Sequence, residues 1–536
     1  MSDVLDDSAI SFPDDRVPDG SVIDGTAIDG SFADSADYIV VGSGAAGAVA
    51  AELLAREGAS VAIVEEGPWV RTREFGDRVV DAFHRMFRDA GTQVIEGSYV
   101  PLLQGRCVGG STVMNSAIAH RTPDDVLDDW QKRFGLSTVT ARALEPHFEA
   151  LEDELNVHGV SDEALGENNR LFLDQARAHG LSARRMHRYE RGCRGSARCL
   201  TGCPNGAKQG MNVTYVPRAL EHGARIFCDC RVDRVVVRGG RAIGVVASTR
   251  NVHGRPPRTV TIHARRGVIL AASTIQTPNI LRRSGVRTRT LGEHFQCHPG
   301  VAVGGVFDQP VDMSVGATQG AESLHLRSSD RIKLETLAMP PELAAVRIPG
   351  VGRELMHRFG LFSHLAVWAV VVRAEAEGRV RAGWRGHDRV RWIAAPADLE
   401  RARTGVALLA RLMFEAGARE VWPGLHGLPA TMHSVDEVRR IDEAPLDPRL
   451  FGFVTSHLFG AARMGRDPRA SVVDERFRVH GLRALYVVDS SVFPTNLGVN
   501  PQHSIMAMSR LAATRIAAEE SLPLTATKND RGRRSN

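Results

Sequence analysis

Lysine is nearly missing from this chain. Of 67 basic residues in 536, only Lys132, Lys208, Lys333 and Lys528 are lysines, and arginine supplies the rest. Such a bias reflects coding rather than a physical need for guanidinium groups. Against 63 acidic residues it leaves a net charge of +4, too small over this length for the basic footprint of a nucleic-acid binder. Long apolar runs are also lacking. The longest, Leu361 to Val372, is broken by Ser363 and His364 and is shorter than the ~20 residues a spanning helix needs. It reads as a buried strand or core segment, with no transmembrane segment and only a peripheral membrane contact left open. The first 36 residues hold neither an apolar h-region nor a twin arginine. Rich in Asp, Gly and Ser, they read as a disordered acidic tail, and secretion is not indicated. The seven cysteines (Cys107, Cys193, Cys199, Cys203, Cys228, Cys230 and Cys297) are an odd, scattered set. They suit a reducing cytoplasm better than a disulfide framework.

What is present begins with the stretch from Asp37 to Glu66. Tyr38 to Val41 is a short apolar run of the kind buried in a parallel sheet, and Gly42, Gly44 and Gly47 follow as G-x-G-x-x-G. The first glycine permits the tight turn, the second lets backbone approach a pyrophosphate, and the third allows close packing of helix on strand. A helix from about Ala45 to Arg56 would aim its free N–H groups at the phosphates. Val61 to Val64 reads as the second strand, and Glu65 at its end stands where a carboxylate would accept from adenosine ribose hydroxyls. An acid there disfavours a 2'-phosphate and hence NADP. The fingerprint names a dinucleotide and so an oxidoreductase, but does not separate NAD from FAD.

A hydrophobic content of 43% and a charged content of 24% are those of a globular protein, and the length predicts two domains. Strand-like runs recur at Val232 to Val237, Gly267 to Ala271 and Leu485 to Val488, all placed in the cofactor domain. Helices are expected over Leu399 to Glu415 and from Pro146, as a first-turn proline, to Leu155. The basic tail from Thr525 to Asn536 is expected to be unstructured.

Four further segments carry a resemblance: GRCVGGSTVMN (105–115), STIQTPNILRRSGV (273–286), HLFGAARMG (457–465) and VVDSSVFPTNLGVNPQHSIM (487–506). Together with the first fingerprint they resemble the glucose/methanol/choline (GMC) family of FAD-dependent alcohol oxidoreductases, in the same order over nearly the whole chain. The resemblance implies an α/β fold, a Rossmann-like FAD-binding domain with a β-sheet/helix substrate-binding domain. Its segments would be 37–120, 206–290 and 451–522 for FAD, with 121–205 as a cap and 291–450 as the substrate-binding part, between disordered ends at 1–36 and 523–536. It assigns Gly42, Gly44, Ala45, Ala46, Gly47, Glu65, Glu66, Arg106, Gly109, Gly110, Asn115, Val232, Asp489, Asn500 and Pro501 to the cofactor. His457 matches the family's catalytic histidine, and Asn500 the position of an Asn or second His. Two positions depart from the pattern: Arg287, where a glycine is usual, and Thr122, where Pro, Ala or Gly is usual. Met114 occupies the place at which some members attach flavin covalently through a histidine. A thioether cannot do so, and non-covalent FAD is expected.

Alcohol oxidation removes a hydroxyl proton and a carbon-bound hydride, so it needs a base near the oxygen and an acceptor near the carbon. His457 suits the base because imidazole titrates near neutrality, and the Asn500 amide suits stabilisation of developing alkoxide. His503 and His298 are its rivals. Cys193, Cys199 and Cys203, followed by a proline, have the short spacing of iron–sulfur ligands, but a packing role for small buried thiols is preferred and no metal is assigned. That stretch, with Gly206, Ala207 and Lys208, looks like the long-chain alcohol oxidase branch of the family; the cysteine spacing also resembles members with a three-iron cluster. Apolar Leu361 to Val370 suggests a pocket for a long-chain or polycyclic alcohol, oxidised to aldehyde or ketone, with oxygen, a quinone or a redox protein as electron acceptor. The alternatives are an FAD-containing lyase of the same fold and a sugar or polyol dehydrogenase with an iron–sulfur relay.

Overall fold

The computed structural model describes residues 11–521 apart from 252–253, 255 and 384–387. The disorder expected at 1–10 and at 523–536 therefore lies outside the described residues. We label the elements used below as strands β1 (Val22–Asp24), β2 (Phe32–Val41), β3 (Val61–Val64), β4 (Ala183–Arg185), β5 (Arg225–Cys228), β6 (Cys230–Arg238), β7 (Arg241–Thr249), β8 (Thr259–Leu270), β9 (Gln296–Cys297), β10 (Gly300–Val306), β11 (Ala321–Ser323), β12 (Ile332–Thr336), β13 (Leu365–Val372), β14 (Glu420–Trp422), β15 (Leu458–Phe459) and β16 (Leu485–Val487). The helices are α1 (Ala45–Arg56), α2 (Ala141–Glu154), α3 (Ser273–Arg283), α4 (Pro396–Glu415) and α5 (Gln502–Ser521).

The first sheet runs β1-β5-β3-β2-β8-β7-β6, with β16 also pairing β8. Strands β1, β5, β3, β2, β8 and β16 are parallel to their neighbours, while β7 is antiparallel to β8 and to β6. Where β2, β3 and β8 lie side by side their residues are apolar, Tyr38 to Val41, Val61 to Val64 and Gly267 to Leu270, as in a sheet buried on both faces. Val61 to Val64 and Val268 to Leu270 are fully or almost fully buried. Helix α1 packs on α5, where Ser509 Oγ donates to Ala46 O at 2.7 Å.

A second sheet has the order β14-β10-β13-β12-β11-β4 and is antiparallel between the pairs that concern the site. The apolar run seen in the sequence is its strand β13. One face of that strand packs on α4, whose Gly405 has no room for a side chain: a Cβ there would lie 2.4 Å from Val370 Cγ2. The short β9–β15 ladder, Gln296 opposite Phe459 and Cys297 opposite Leu458, carries His457 to the junction of the two sheets.

Two expectations need correction. The first 36 residues are not a uniformly disordered tail, because 11–36 are built into the fold. Val22, Ile23 and Asp24 pair in parallel with Ile226, Phe227 and Cys228, and β2 begins at Phe32. Asp14 is buried and accepts from the Thr72 N–H at 2.8 Å and hydroxyl at 3.0 Å. Likewise, the second predicted helix starts at Ala141, not Pro146. Thr140 caps it by accepting from the Ala143 N–H at 3.2 Å, and the proline lies inside.

Candidate active site

The glycine turn has the shape a pyrophosphate requires. Gly42 adopts φ 97°, and a Cβ there would meet Ala271 O at 2.5 Å. On Gly47 a Cβ would stand 1.9 Å from Gly42 O, so strand and helix touch through backbone alone. The first intrahelical bond runs from Ala48 N–H to Gly44 O at 3.0 Å. The N–H groups of Ala45, Ala46 and Gly47 precede it and are left for a ligand. A second glycine loop closes on this turn: a Cβ on Gly110 would lie 2.9 Å from Gly44 Cα.

Ser43 ties the two loops together. Its hydroxyl donates to Glu65 Oε2 at 2.7 Å and accepts from the Gly109 N–H at 3.1 Å. Glu65 also takes the Ser43 N–H and the Gly67 N–H, each at 3.0 Å. Burial raises its pKa, and these donors pull against that. Glu66 faces a different partner. Burial would raise its carboxyl, but the Arg88 guanidinium grips it with two bonds of 3.0 and 2.8 Å and holds it below its usual range. Arg106 Nε is buried without a protein partner among the described residues, Val232 is buried where the β6–β7 ladder slips, and Asn115 donates to Gln502 Oε1. Asp489 collects the Ser273 N–H at 3.0 Å, the Thr277 hydroxyl at 2.6 Å and the Ser491 N–H at 2.9 Å. Pro501 leads into α5, accepting from the Ile505 N–H at 2.9 Å. Gly42, Gly44 and Ala45 keep partial exposure beside buried Ser43, Ala46 and Gly47. These features fit an adenine dinucleotide with its pyrophosphate against α1.

At the junction of the sheets, His457 and Asn500 come together although 43 residues separate them: Asn500 Nδ2 is 3.4 Å from His457 Nε2. Burial pushes the half-buried imidazole down to about 4, helped by the Lys333 ammonium and opposed by Glu335. It is therefore neutral at physiological pH and able to accept a proton. The rivals separate. His298 lies beside His457, its Nδ1 3.3 Å from His457 Nδ1. His503 instead faces Glu152 at 3.2 Å and packs against Phe148 and Tyr189.

Sequence reasoning missed a charged cluster on the same wall. Glu322 of β11 is directly opposite Glu335 of β12, and Lys333, two residues earlier, shares their face. Lys333 Nζ stands 2.9 Å from each carboxylate and donates to Asn500 Oδ1 at 2.5 Å. His120 Nε2 lies 2.8 Å from Glu322 Oε2. The available signal was the scarcity of lysine itself.

In the cysteine loop, buried Cys199 accepts from Arg188 Nη2 at 3.2 Å. Lys208 Nζ donates to Val113 O, Asn115 O and Cys199 O at 2.6, 2.8 and 2.7 Å, joining this loop to the second glycine loop. Among the described residues no group of three or more His, Cys, Asp or Glu side chains is placed to hold a metal ion.

Comparisons with known proteins show the family and the fold. Two family models described as GMC oxidoreductase match residues 36–300 and 375–509. An uncharacterized GMC-type oxidoreductase of Mycobacterium tuberculosis is 36% identical over 487 residues, 90% of this chain and 76% of the relative. A long-chain-alcohol oxidase of Arabidopsis thaliana is 26% identical over 517 residues, 90% and 66% respectively. Among solved structures, pyridoxine 4-oxidase from Mesorbium loti superposes with a TM-score of 0.67 at 18% identity, covering 89% of this chain and 98% of that one. A formate oxidase of Aspergillus oryzae gives 0.71 at 18%, covering 92% and 100%. The chain belongs to the GMC oxidoreductase family and is an FAD-dependent oxidoreductase acting on CH–OH donors.

Proposed function

We propose that this enzyme oxidises a primary or secondary alcohol of apolar character to an aldehyde or ketone, with His457 as base and Asn500 as the donor to the alcohol oxygen. The observation that carries the reading is the approach of Asn500 Nδ2 to a neutral His457 Nε2, 3.4 Å apart, at the junction of the two sheets. A hydroxyl reaching both groups accepts from the Asn500 amide and gives its proton to His457 Nε2. Bound FAD supplies the acceptor for the carbon-bound hydride. Gly42, Gly44 and Gly47 with the start of α1 would hold its pyrophosphate, and Glu65 its ribose. Buried Met114 offers no covalent link to the flavin, so the cofactor is dissociable.

An apolar substrate is supported by the sheet wall. Along β13, Val367, Ala369 and Val371 keep 8, 7 and 9% exposure, whereas Ala366, Trp368, Val370 and Val372 have none. By register the slightly open face also carries Lys333 and Glu335 of β12 and Gly300, Ala302 and Gly304 of β10. Beside those two charged residues the face offers only glycine, alanine and valine, side chains suited to contact with hydrocarbon. The names of the Arabidopsis thaliana relatives point the same way. All seven cysteines are free thiols, in keeping with a reducing cytoplasm, and no described helix is long and apolar enough to cross a membrane.

An anaerobic screen of alcohols for flavin bleaching tests the reading. Catalytic efficiency should rise up to about fourfold per added methylene until the pocket is filled. His457→Ala should keep its FAD yet slow bleaching at least ~100-fold; near-normal bleaching in that variant rejects His457 as the base. Admitting air afterwards separates an oxidase, which recovers its yellow colour quickly, from a dehydrogenase, which does not.

A further inference from the structure

Two of the three lysines among the described residues, Lys208 and Lys333, are buried, and each has three oxygen atoms converging on its nitrogen. Lys208 faces three carbonyl oxygens. Lys333 faces Glu322 Oε2, Glu335 Oε2 and Asn500 Oδ1 at 2.9, 2.9 and 2.5 Å, with His120 Nε2 3.5 Å away. A compact ammonium can ion-pair with both carboxylates while donating to the amide oxygen, and a planar guanidinium does not fit that convergence. The two carboxylates opposite each other on β11 and β12 would repel without it. Arg184 completes the balance, its Nε 3.0 Å from Glu322 Oε1.

Resting on the reading above, we propose that Lys333 is a positioning residue for alcohol oxidation: anchored by Glu322 and Glu335, its ammonium fixes the Asn500 amide and through it keeps His457 Nε2 free to accept the substrate proton. An ammonium has no lone pair, so it faces the oxygen of the amide and turns Nδ2 toward His457. An amide NH2 cannot accept, so the facing Nε2 of a neutral His457 offers its lone pair and the ring proton resides on Nδ1. That proton points at His298 Nδ1, 3.3 Å away, which places the His298 proton on Nε2, 3.3 Å from Asn496 Oδ1. Asn496 is itself oriented, because its Nδ2 donates to Gln296 Oε1 and Ala374 O at 3.1 and 2.6 Å. One contact opposes this order. The Gly498 N–H lies 3.0 Å from His298 Nε2 and favours the reverse tautomer of both rings. The pair of rings is thus pushed from both ends, and without the ammonium the Gly498 contact sets the tautomer, leaving the single ring proton of His457 on Nε2 and no lone pair there for the substrate proton.

A double-mutant cycle between Lys333→Met and Asn500→Ala, read as the anaerobic rate of flavin bleaching at saturating alcohol, tests this. Lys333→Met should lower the rate ~10- to 100-fold with FAD content kept, and adding it to Asn500→Ala should cost less than about threefold more. The acid limb of the rate should also rise in Lys333→Met. The groups facing His457 are His298, His120, Glu335 and Lys333, and only the last is lost. A full rate in Lys333→Met, or losses that multiply in the double variant, overturns the proposal. A full rate in Asn500→Ala would instead reject the functional reading beneath it. Should Lys333→Met fail to take up flavin, Lys333→Met/Glu335→Gln restores the charge balance for the same cycle. A crystal structure of the wild-type holoenzyme gives an independent reading: Lys333 Nζ more than about 4 Å from Asn500 Oδ1, beyond hydrogen-bond reach, also overturns it.

Discussion

Between Tyr38 and Glu65 the cofactor turn is made from neighbours in sequence and largely from backbone, whereas His457 and Asn500 are completed by side chains at 120, 298, 322, 333 and 335. Gly42 and Gly47 in the first region cannot change because there is no space for another atom. Positions in the second are set by charge and by which proton sits where. Steric sites should therefore fail all at once, and electrostatic sites by degrees.

The largest effect expected is at Gly47. A Cβ 1.9 Å from Gly42 O cannot be accommodated by a rotamer change, so Gly47→Ala should yield protein without bound flavin, measured as the ratio of 450 to 280 nm absorbance. Gly44, whose added Cβ would be 3.8 Å from its nearest neighbour Gly110 Cα, gives the control: Gly44→Ala should fold and bind FAD more weakly. A yellow Gly47→Ala protein would break the comparison.

Next comes Asp489. Asp489→Ala strands two backbone N–H groups and the Thr277 hydroxyl in a buried place, which should cost about 2–4 kcal/mol by denaturant unfolding of the holoenzyme. On the electrostatic side, the pH profile should be graded. With His457 pushed down to about 4 by burial, bleaching efficiency should hold from neutrality to about pH 5 and fall tenfold per unit below about pH 4. The same lowered pKa has a stability sign. The unfolded chain binds a proton near pH 6.5 that the folded one refuses until about pH 4. The contribution is therefore complete above pH 6.5 and drains away as pH falls toward 4, a slope that His457→Ala should lose. The smallest effect belongs to Glu66. Breaking its paired contact with Arg88, both partly exposed, should cost about 1–2 kcal/mol in Glu66→Gln, read as a fall in Tm.

Legibility in the sequence follows the same division. The turn, α1, β3 and its terminal acid were readable because strand, glycine spacing and helix lie in one stretch and depend on local sterics. His457 and Asn500 could be singled out only through resemblance, since nothing local in a histidine says what faces it. Lys333, Glu322 and Glu335 were invisible because their convergence depends on the β11–β12 register, a long-range pairing. His298, read as a rival to His457, lies directly beside it. Helix α2 began early because Thr140 caps it, a cue outweighed by the proline. Composition misled at the front of the chain, where Asp and Gly masked a short Val-Ile-Asp strand.

That short strand has a practical consequence. Val22 to Asp24 is the outermost rung beside Arg225 to Cys228, and Gly25 presses against Cys228 O so closely that a Cβ would stand 2.7 Å away. Trimming the first thirty or so residues to tidy an expression clone would unzip this rung and bare a row of peptide groups to other molecules. The shortened product should clump or precipitate, although no catalytic atom has been touched.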